Sequence, residues 1–124
     1  MHTPIEVPGL PPNNGTYSQA VRMGGLIYVS GQLGVDPATG QLEPGGIRAQ
    51  TRRALDNIAA ILIAAGSGLE RAGKCNLFIT DFSLLAEMNE VYARYFPHRP
   101  AKTTVEVSRL DKDALIEIEV VAEA

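Results

Sequence analysis

The segment PAKTTVEVSRLDKDALIEIEVVA, residues 100–122, holds two runs in which apolar and polar side chains alternate. Val105 belongs to the apolar side of the first run, and Ile116, Ile118 and Val120 form the apolar side of the second. Because successive side chains of a strand point to opposite sides of a sheet, each run predicts a strand. The polar residues between the runs predict a short turn. One side of both strands should therefore meet an apolar core.

The other side of these two strands is predicted to be polar and uncovered. On it we expect Lys102, Thr104, Glu117 and Glu119. Solvent-facing strands commonly alternate in the same way, so the pattern alone does not identify a functional site.

Upstream of this segment, the pattern predicts three more strands. Residues 17–22 and 26–33 flank Gly24-Gly25, a pair that suits a tight hairpin turn. Residues 74–80 alternate again, with Cys75 and Leu77 on the apolar side.

Two helices are predicted between these strands. Apolar residues recur with helical spacing over residues 47–65, and Gly66 follows where a helix C-terminus favours glycine. A second helix can be capped by Asp81 or Ser83 and is ended by Pro97.

The predicted order is β-β-α-β-α-β-β, after an irregular lead-in over residues 1–14. We expect a single α+β domain over residues 1–124, with one mixed β-sheet and two helices packed on one face. The opposite face, with Tyr28 or Val29 and Val121, would be left uncovered and would favour self-association.

The composition narrows the classes of partner. The 124 residues carry a net charge of −3, which offers no attraction to a phosphate backbone and argues against nucleic acid. Cys75 is the only cysteine, so we expect a reducing, cytoplasmic setting. The longest apolar stretch, near residues 58–65, is too short to span a membrane, and the N-terminus does not resemble a secretion signal.

Several ordered motifs resemble those of the Rid family, the reactive intermediate deaminases also called YjgF or liver perchloric-acid-soluble proteins. The segment from residue 100 resembles the family signature P-A-R-[ST]-x-V-E-V-x-x-L followed by I-E-I-E. Other matching segments are 15–20 (GTYSQA), 29–32 (VSGQ), 36–40 (DPATG), 50–57 (QTRRALDN) and 89–92 (NEVY). One position departs from the pattern, because the family's arginine is Lys102 here.

The resemblance implies a chorismate-mutase-like Rid fold that assembles as a homotrimeric barrel, with ligand sites in the clefts between subunits. It also implies hydrolysis of enamines and imines, such as 2-aminoacrylate-like 2-imino acids, to 2-keto acids and ammonia. That reaction requires no metal and no organic cofactor. The spacing of His2, His98 and Cys75 matches neither a metal site nor a nucleophile–base pair.

The resemblance also assigns roles by position. Lys102 stands where the family's arginine binds the substrate carboxylate, and Glu117 where a glutamate holds the attacking water. The remaining candidates for the pocket are Tyr17, Ser30, Gly31, Thr104 and Asn89. Without the family context, each of these residues would more commonly be a surface or packing residue.

Because Lys102 replaces the family's arginine, the sequence does not decide whether the chain is an active deaminase. Arginine grips a carboxylate through two parallel hydrogen bonds, whereas lysine is a flexible point charge. The chain is then either a deaminase with altered specificity, or a weak or inactive homologue that binds small carboxylates or a protein partner. A ribonuclease is disfavoured by the acidic charge balance. A lysine amine can also form a Schiff base, but Glu106 and Glu117, expected on the same side, would keep Lys102 charged.

Overall fold

The computed structural model describes residues 1–10 and 13–124. Its strands are β1 (Thr3–Ile5), β2 (Ala20–Met23), β3 (Leu26–Leu33), β4 (Val35–Asp36), β5 (Gln41–Leu42), β6 (Ala72–Ile79), β7 (Ala101–Glu106) and β8 (Ile116–Glu123). The helices are α1 (Gly46–Ala64) and α2 (Leu85–Tyr95), and short 3₁₀ turns occupy Leu69–Arg71, Phe82–Leu84 and Asp111–Asp113.

Six of the strands form one mixed sheet in the order β1-β2-β3-β8-β6-β7. All neighbours are antiparallel except β6 and β7, which are parallel. Parallel strands need a crossover connection, and α2 supplies it. Strand β7 therefore lies at an edge of the sheet.

The core lies between one face of the sheet and the two helices. Helix α1 packs on β3 and β8, and α2 packs on α1. The fully buried side chains include Leu55, Ile58 and Leu62 from α1 and Ile116 and Ile118 from β8. The predicted α+β architecture, with both helices on one face, is confirmed.

The ends of the helices follow the sequence signals. Gly66 adopts the left-handed backbone, with φ 83°, directly after Ala65, the C-cap of α1. Asp81 Oδ1 accepts a hydrogen bond of 2.8 Å from the Ser83 amide and so caps the turn that leads into α2.

Some of the predicted element boundaries are wrong. Residues 1–14 were expected to be irregular, but β1 pairs with β2 within that range. Strand β2 begins at Ala20, so Tyr17 precedes it rather than belonging to it. The turn at residues 36–40 joins the two-stranded sheet β4-β5, which is additional to the predicted order.

The predicted orientation of β7 is also wrong. Lys102 aligns with Cys75 and Thr104 with Leu77, and both partners are buried on the helix side. Lys102 and Thr104 therefore belong to the helix side, while Val105 is exposed on the open face. An edge strand is only partly covered, so its helix-side positions tolerate polar residues that a central strand would exclude.

Candidate functional site

Lys102 is held by two residues of α2. Its Nζ donates a hydrogen bond to Asn89 Oδ1 and lies 4.6 Å from the centroid of the Tyr92 ring. A cation above an aromatic face is attracted by the ring quadrupole. Burial lowers the pKa of Lys102, and the Cys75 thiol opposes this shift. Together these contacts place a cation at the edge of the sheet, on the helix side.

The groups around this cation are uncharged. Burial raises the pKa of the Cys75 thiol, so it stays protonated near neutral pH. Burial, followed by the neighbouring thiol, raises the pKa of the Tyr92 hydroxyl as well. Lys102 therefore lies among neutral polar and aromatic groups rather than beside a carboxylate.

Glu117 lies on the opposite face of the sheet, against Gly31. The β3–β8 register shifts between Val29 and Gln32, and Gly31 lies in this irregularity. A Cβ atom added to Gly31 would be 2.7 Å from Glu117 Oε1, so glycine leaves the room that the carboxylate occupies. Burial raises the pKa of Glu117, and Glu119 and Asp111 raise it further. A carboxyl group of this kind is suited to proton transfer.

A small cleft of about 90 Å³ borders Gly31. Its walls include Tyr17, Gln19, Gln32 and Lys112. The Tyr17 side chain is 50% exposed and is free to contact a ligand or another chain.

Ser30 has a structural role here. Its hydroxyl donates a 2.6 Å hydrogen bond to the Ser18 carbonyl, and its amide donates to the Gln19 carbonyl at 2.9 Å. These two bonds anchor the segment that carries Tyr17 beside the end of β3.

The seven predicted site residues thus fall into two groups. Lys102, Asn89 and Thr104 form the helix-side group, whereas Tyr17, Ser30, Gly31 and Glu117 gather around the irregularity of β3, with the Glu117 carboxylate on the open face. The expectation that Lys102 and Glu117 share one face is therefore wrong.

The two groups are also separated along the sheet. Strand β6 lies between β8 and β7, and Glu117 aligns through Phe78 with Val105, three residues beyond Lys102. A strand spacing of about 4.8 Å and a rise of about 3.3 Å per residue place the two Cα atoms roughly 14 Å apart. One chain alone does not bring these side chains together.

Tyr92 is a buried core residue whose ring also contacts the Lys102 ammonium, a contact that the family motifs do not predict. Tyr92 follows Asn89 by three residues on α2, a spacing that places both on one helix face, and this signal was available in the sequence. Lys112 was also missed. It lies in the Asp111–Asp113 turn with a left-handed φ of 58°, a conformation that its sequence did not signal.

Two kinds of feature are absent from the part of the chain that the structure describes. Within 1–10 and 13–124, no three His, Cys, Asp or Glu side chains are grouped so as to hold a metal ion. Neither α1 nor any other helix in that part of the chain is both long and apolar enough to cross a membrane.

Known proteins match almost the whole chain. The family model described as Endoribonuclease L-PSP matches residues 10–124. A RutC family protein of Pyrococcus horikoshii is 50% identical over 109 residues, covering 87% of this chain and 86% of that protein. A Bos taurus protein named 2-iminobutanoate/2-iminopropanoate deaminase is 43% identical over 109 residues, covering 87% of this chain and 80% of that protein.

Solved structures give the same result. The crystal structure of YyfA from Yersinia pestis, described as a protein of unknown function of the conserved Rid family, has a TM-score of 0.95 and 42% identity, covering 100% of both chains. This chain therefore belongs to the Rid/YjgF family, and its two helices on a mixed sheet are that family's fold.

Proposed function

We propose that this protein hydrolyses 2-imino acids and their enamine tautomers to 2-keto acids and ammonia. The observation that carries the proposal is the half-buried Glu117 carboxylate packed against Gly31 beside the Tyr17 cleft. The mammalian relatives named as imine deaminases, at 43% and 42% identity, support the same reaction class.

The chemistry needs few groups. An imine becomes strongly electrophilic at C2 once its nitrogen is protonated. Glu117, whose pKa is raised by burial, holds a water molecule and accepts its proton as the oxygen adds to C2. The resulting carbinolamine then expels ammonia and leaves the 2-keto acid. Tyr17 and Gly31 wall the space around the reacting carbon in this scheme, and Ser30 supports them.

Lys102 is the proposed carboxylate anchor, and Asn89 and Thr104 lie on the same side of the sheet. Lysine offers one charge-assisted hydrogen bond where arginine offers two parallel ones. Such a bond contributes about 1.5–3 kcal/mol, so the loss of one corresponds to roughly tenfold to a hundredfold in affinity or rate. We therefore propose a specificity that differs from that of arginine-containing relatives.

The proposed active assembly is a homotrimer with each site between two copies. Because Lys102 and Glu117 lie on opposite faces of the sheet, a complete site requires Lys102 from one copy and Glu117 from its neighbour. The exposed Leu26, Tyr28 and Val105 on the open face support association. The lone cysteine favours a reducing, cytoplasmic setting.

The alternative is a weak or inactive homologue that binds small carboxylates or a protein partner. The endoribonuclease activity in the family model's description has less support here. The net charge is −3, and His98 Nε2 is engaged with the Ala72 carbonyl at 2.9 Å.

The direct test generates a 2-imino acid in situ with an amino-acid oxidase and measures the release of keto acid. We expect turnover by the wild type, and loss of turnover in Lys102→Ala and in Glu117→Ala. If the wild type matches buffer while Lys102→Arg is active, the natural chain is not a standard deaminase. If the Glu117→Ala variant keeps the full rate, Glu117 does not hold the attacking water.

Mixing experiments test the shared site. Lys102→Ala and Glu117→Ala chains are each expected to be inactive. When they are unfolded together and refolded as mixed trimers, one crevice in about four receives both intact residues, so roughly a quarter of wild-type activity should return. If the mixture stays inactive while it forms trimers, the two residues do not serve one site.

A further inference from the structure

We propose that Lys102 is also a nucleophile, and that its neutral amine forms a Schiff base with the 2-imino acid substrate or the 2-keto acid product. The inference rests on the proposed function, because that reaction brings an electrophilic C2 to Lys102. It gives this chain a covalent route to the same products.

The surroundings of the amine support this role. Glu106 and Glu117 are the two carboxylates expected to keep this amine charged, and neither forms an ion pair with it. Glu106 Oε1 accepts a 2.9 Å hydrogen bond from the Phe82 amide, and Glu117 lies on the other face. Among the described residues, no carboxylate forms an ion pair with Lys102.

The carboxylates of α2 are also engaged elsewhere. Glu87 and Glu90 both bind Arg48 of α1. The groups that face the Lys102 amine are therefore the Asn89 amide, the Tyr92 ring and, from β6, the Cys75 thiol. Burial lowers the pKa of Lys102, which increases the fraction of reactive amine.

The geometry also fixes and presents the amine. The Asn89 oxygen and the Tyr92 ring hold Nζ on one side, while the side chain as a whole remains exposed to an incoming ligand. Attack on C2 requires an accessible amine that no carboxylate holds in its charged form, and Lys102 meets this requirement.

The reaction balances without a redox partner. The Nζ lone pair adds to C2 of the protonated imine, and after proton transfer the original nitrogen leaves as ammonia. A C2=Nζ bond now links the acid to Lys102. Water adds to C2, the C2–Nζ bond breaks, and the 2-keto acid leaves as the amine is regenerated. An arginine at this position would not follow this route, because its guanidinium stays protonated in proteins.

The test is reductive trapping followed by mass spectrometry. The full-length wild-type chain is incubated with 2-oxobutanoate and borohydride, and the protein is then digested and mapped. We expect a mass gain equal to the oxo acid less one oxygen atom, located on Lys102. The other lysines, Lys74 and Lys112, and the N-terminal amine serve as internal controls. Lys74 is the matched control lysine, because it is adjacent to Cys75 in the chain and is also held by a polar side chain. Its Nζ donates a hydrogen bond to Thr103 Oγ1 at 2.8 Å.

Two variants test whether the adduct forms on Lys102 specifically. Lys102→Arg should abolish the adduct, and Lys74→Arg should leave it unchanged. Equal labelling of all amines, or no labelling of Lys102, would overturn the inference. With turnover still present, that outcome leaves the proposed hydrolysis intact.

A kinetic measurement links the adduct to catalysis. In a single turnover with protein in excess, the covalent route releases ammonia before the keto acid, whereas direct water addition releases both together. Simultaneous release overturns the covalent step even if trapping succeeds. An adduct in a chain without deaminase turnover overturns the proposed function and, with it, this inference.

Discussion

Gly31 leaves the space in which the Glu117 carboxylate lies. In Gly31→Ala the new methyl group would be 2.7 Å from Glu117 Oε1 and 2.8 Å from its Cδ. The end of a flexible side chain can move away at little cost, so we expect a folded protein with a displaced carboxylate. Small displacements of a catalytic group are costly, and we expect kcat/KM for imine hydrolysis to fall roughly tenfold to a hundredfold.

The matched control for this substitution is Gly73→Ala, because Gly73 lies in β6 with no atom within 4 Å of the added Cβ. The control should keep both activity and melting temperature. An active Gly31→Ala protein would show that the position of Glu117 does not limit the reaction.

The ionisation of Glu117 should appear in the stability of the protein. Because burial raises its pKa in the folded chain, the folded state binds this proton more tightly than the unfolded state. The stabilisation that Glu117 provides is therefore lost as the pH rises from the ordinary carboxyl pKa of about 4.3 through the raised pKa of the folded chain. Glu117→Gln removes this dependence, so the variant should melt above the wild type near neutral pH, with a smaller gap at acid pH.

Melting temperatures across a pH series measure this effect, and Glu70→Gln, at an exposed carboxylate, is the control. A gap between Glu117→Gln and wild type that stays constant with pH would contradict the assignment.

At the scale of elements, the junction of β3 and β4 packs closely against α1. A Cβ atom on Gly34 would be 2.5 Å from the backbone oxygen of Gln50 and 2.6 Å from its Cα. Backbone atoms inside a helix cannot move aside alone, so Gly34→Ala should push α1 away from the sheet. We expect a loss of about 1–3 kcal/mol in the free energy of unfolding, measured by urea denaturation with Gly73→Ala alongside. An unchanged midpoint would mean that the helix shifts freely.

How far the sequence predicts each element depends on how fully the element is covered. Strands β6 and β8 are central and meet the helices on one side, so the period-two pattern identifies their buried side correctly. The same rule fails for β7, because an edge strand lacks full cover and Lys102 can lie on the helix side. Strand β1 has only three residues, too few for any periodicity to show.

The candidate site is also predicted from the sequence only in part. Family motifs name its residues, but only the register of β6 with β7 and β8 reveals that they form two groups. The contact between Lys102 and Tyr92 depends on where α2 lies over the sheet, which a linear pattern does not encode.

At the scale of the whole molecule, the open face carries apolar side chains that another copy can cover. Tyr28 is 36% exposed there and aligns with Val121 of β8. Burying a charge at an interface without a partner is costly, so Tyr28→Glu should shift the proposed trimer toward single chains and lower the proposed deaminase activity. Sedimentation velocity and the imine assay measure the two effects.

Ile63→Glu is the matched control, because Ile63 is 68% exposed on α1, within the helical layer. It should leave both the assembly and the activity unchanged. A wild type that sediments as a single chain while hydrolysing imines would contradict the shared site.

The separation of Lys102 from Glu117 has a consequence for inheritance. In the proposed assembly, a chain that lacks only the lysine damages the crevice on one of its sides, and the carboxylate it still carries completes the crevice on the other side. A chain that lacks both residues damages both crevices to which it contributes. When it is co-expressed with intact chains, the double mutant would therefore lower the activity more than the lysine mutant does at the same ratio of mutant to intact chains. The double mutant would be the stronger dominant-negative allele, even though each purified mutant is inactive.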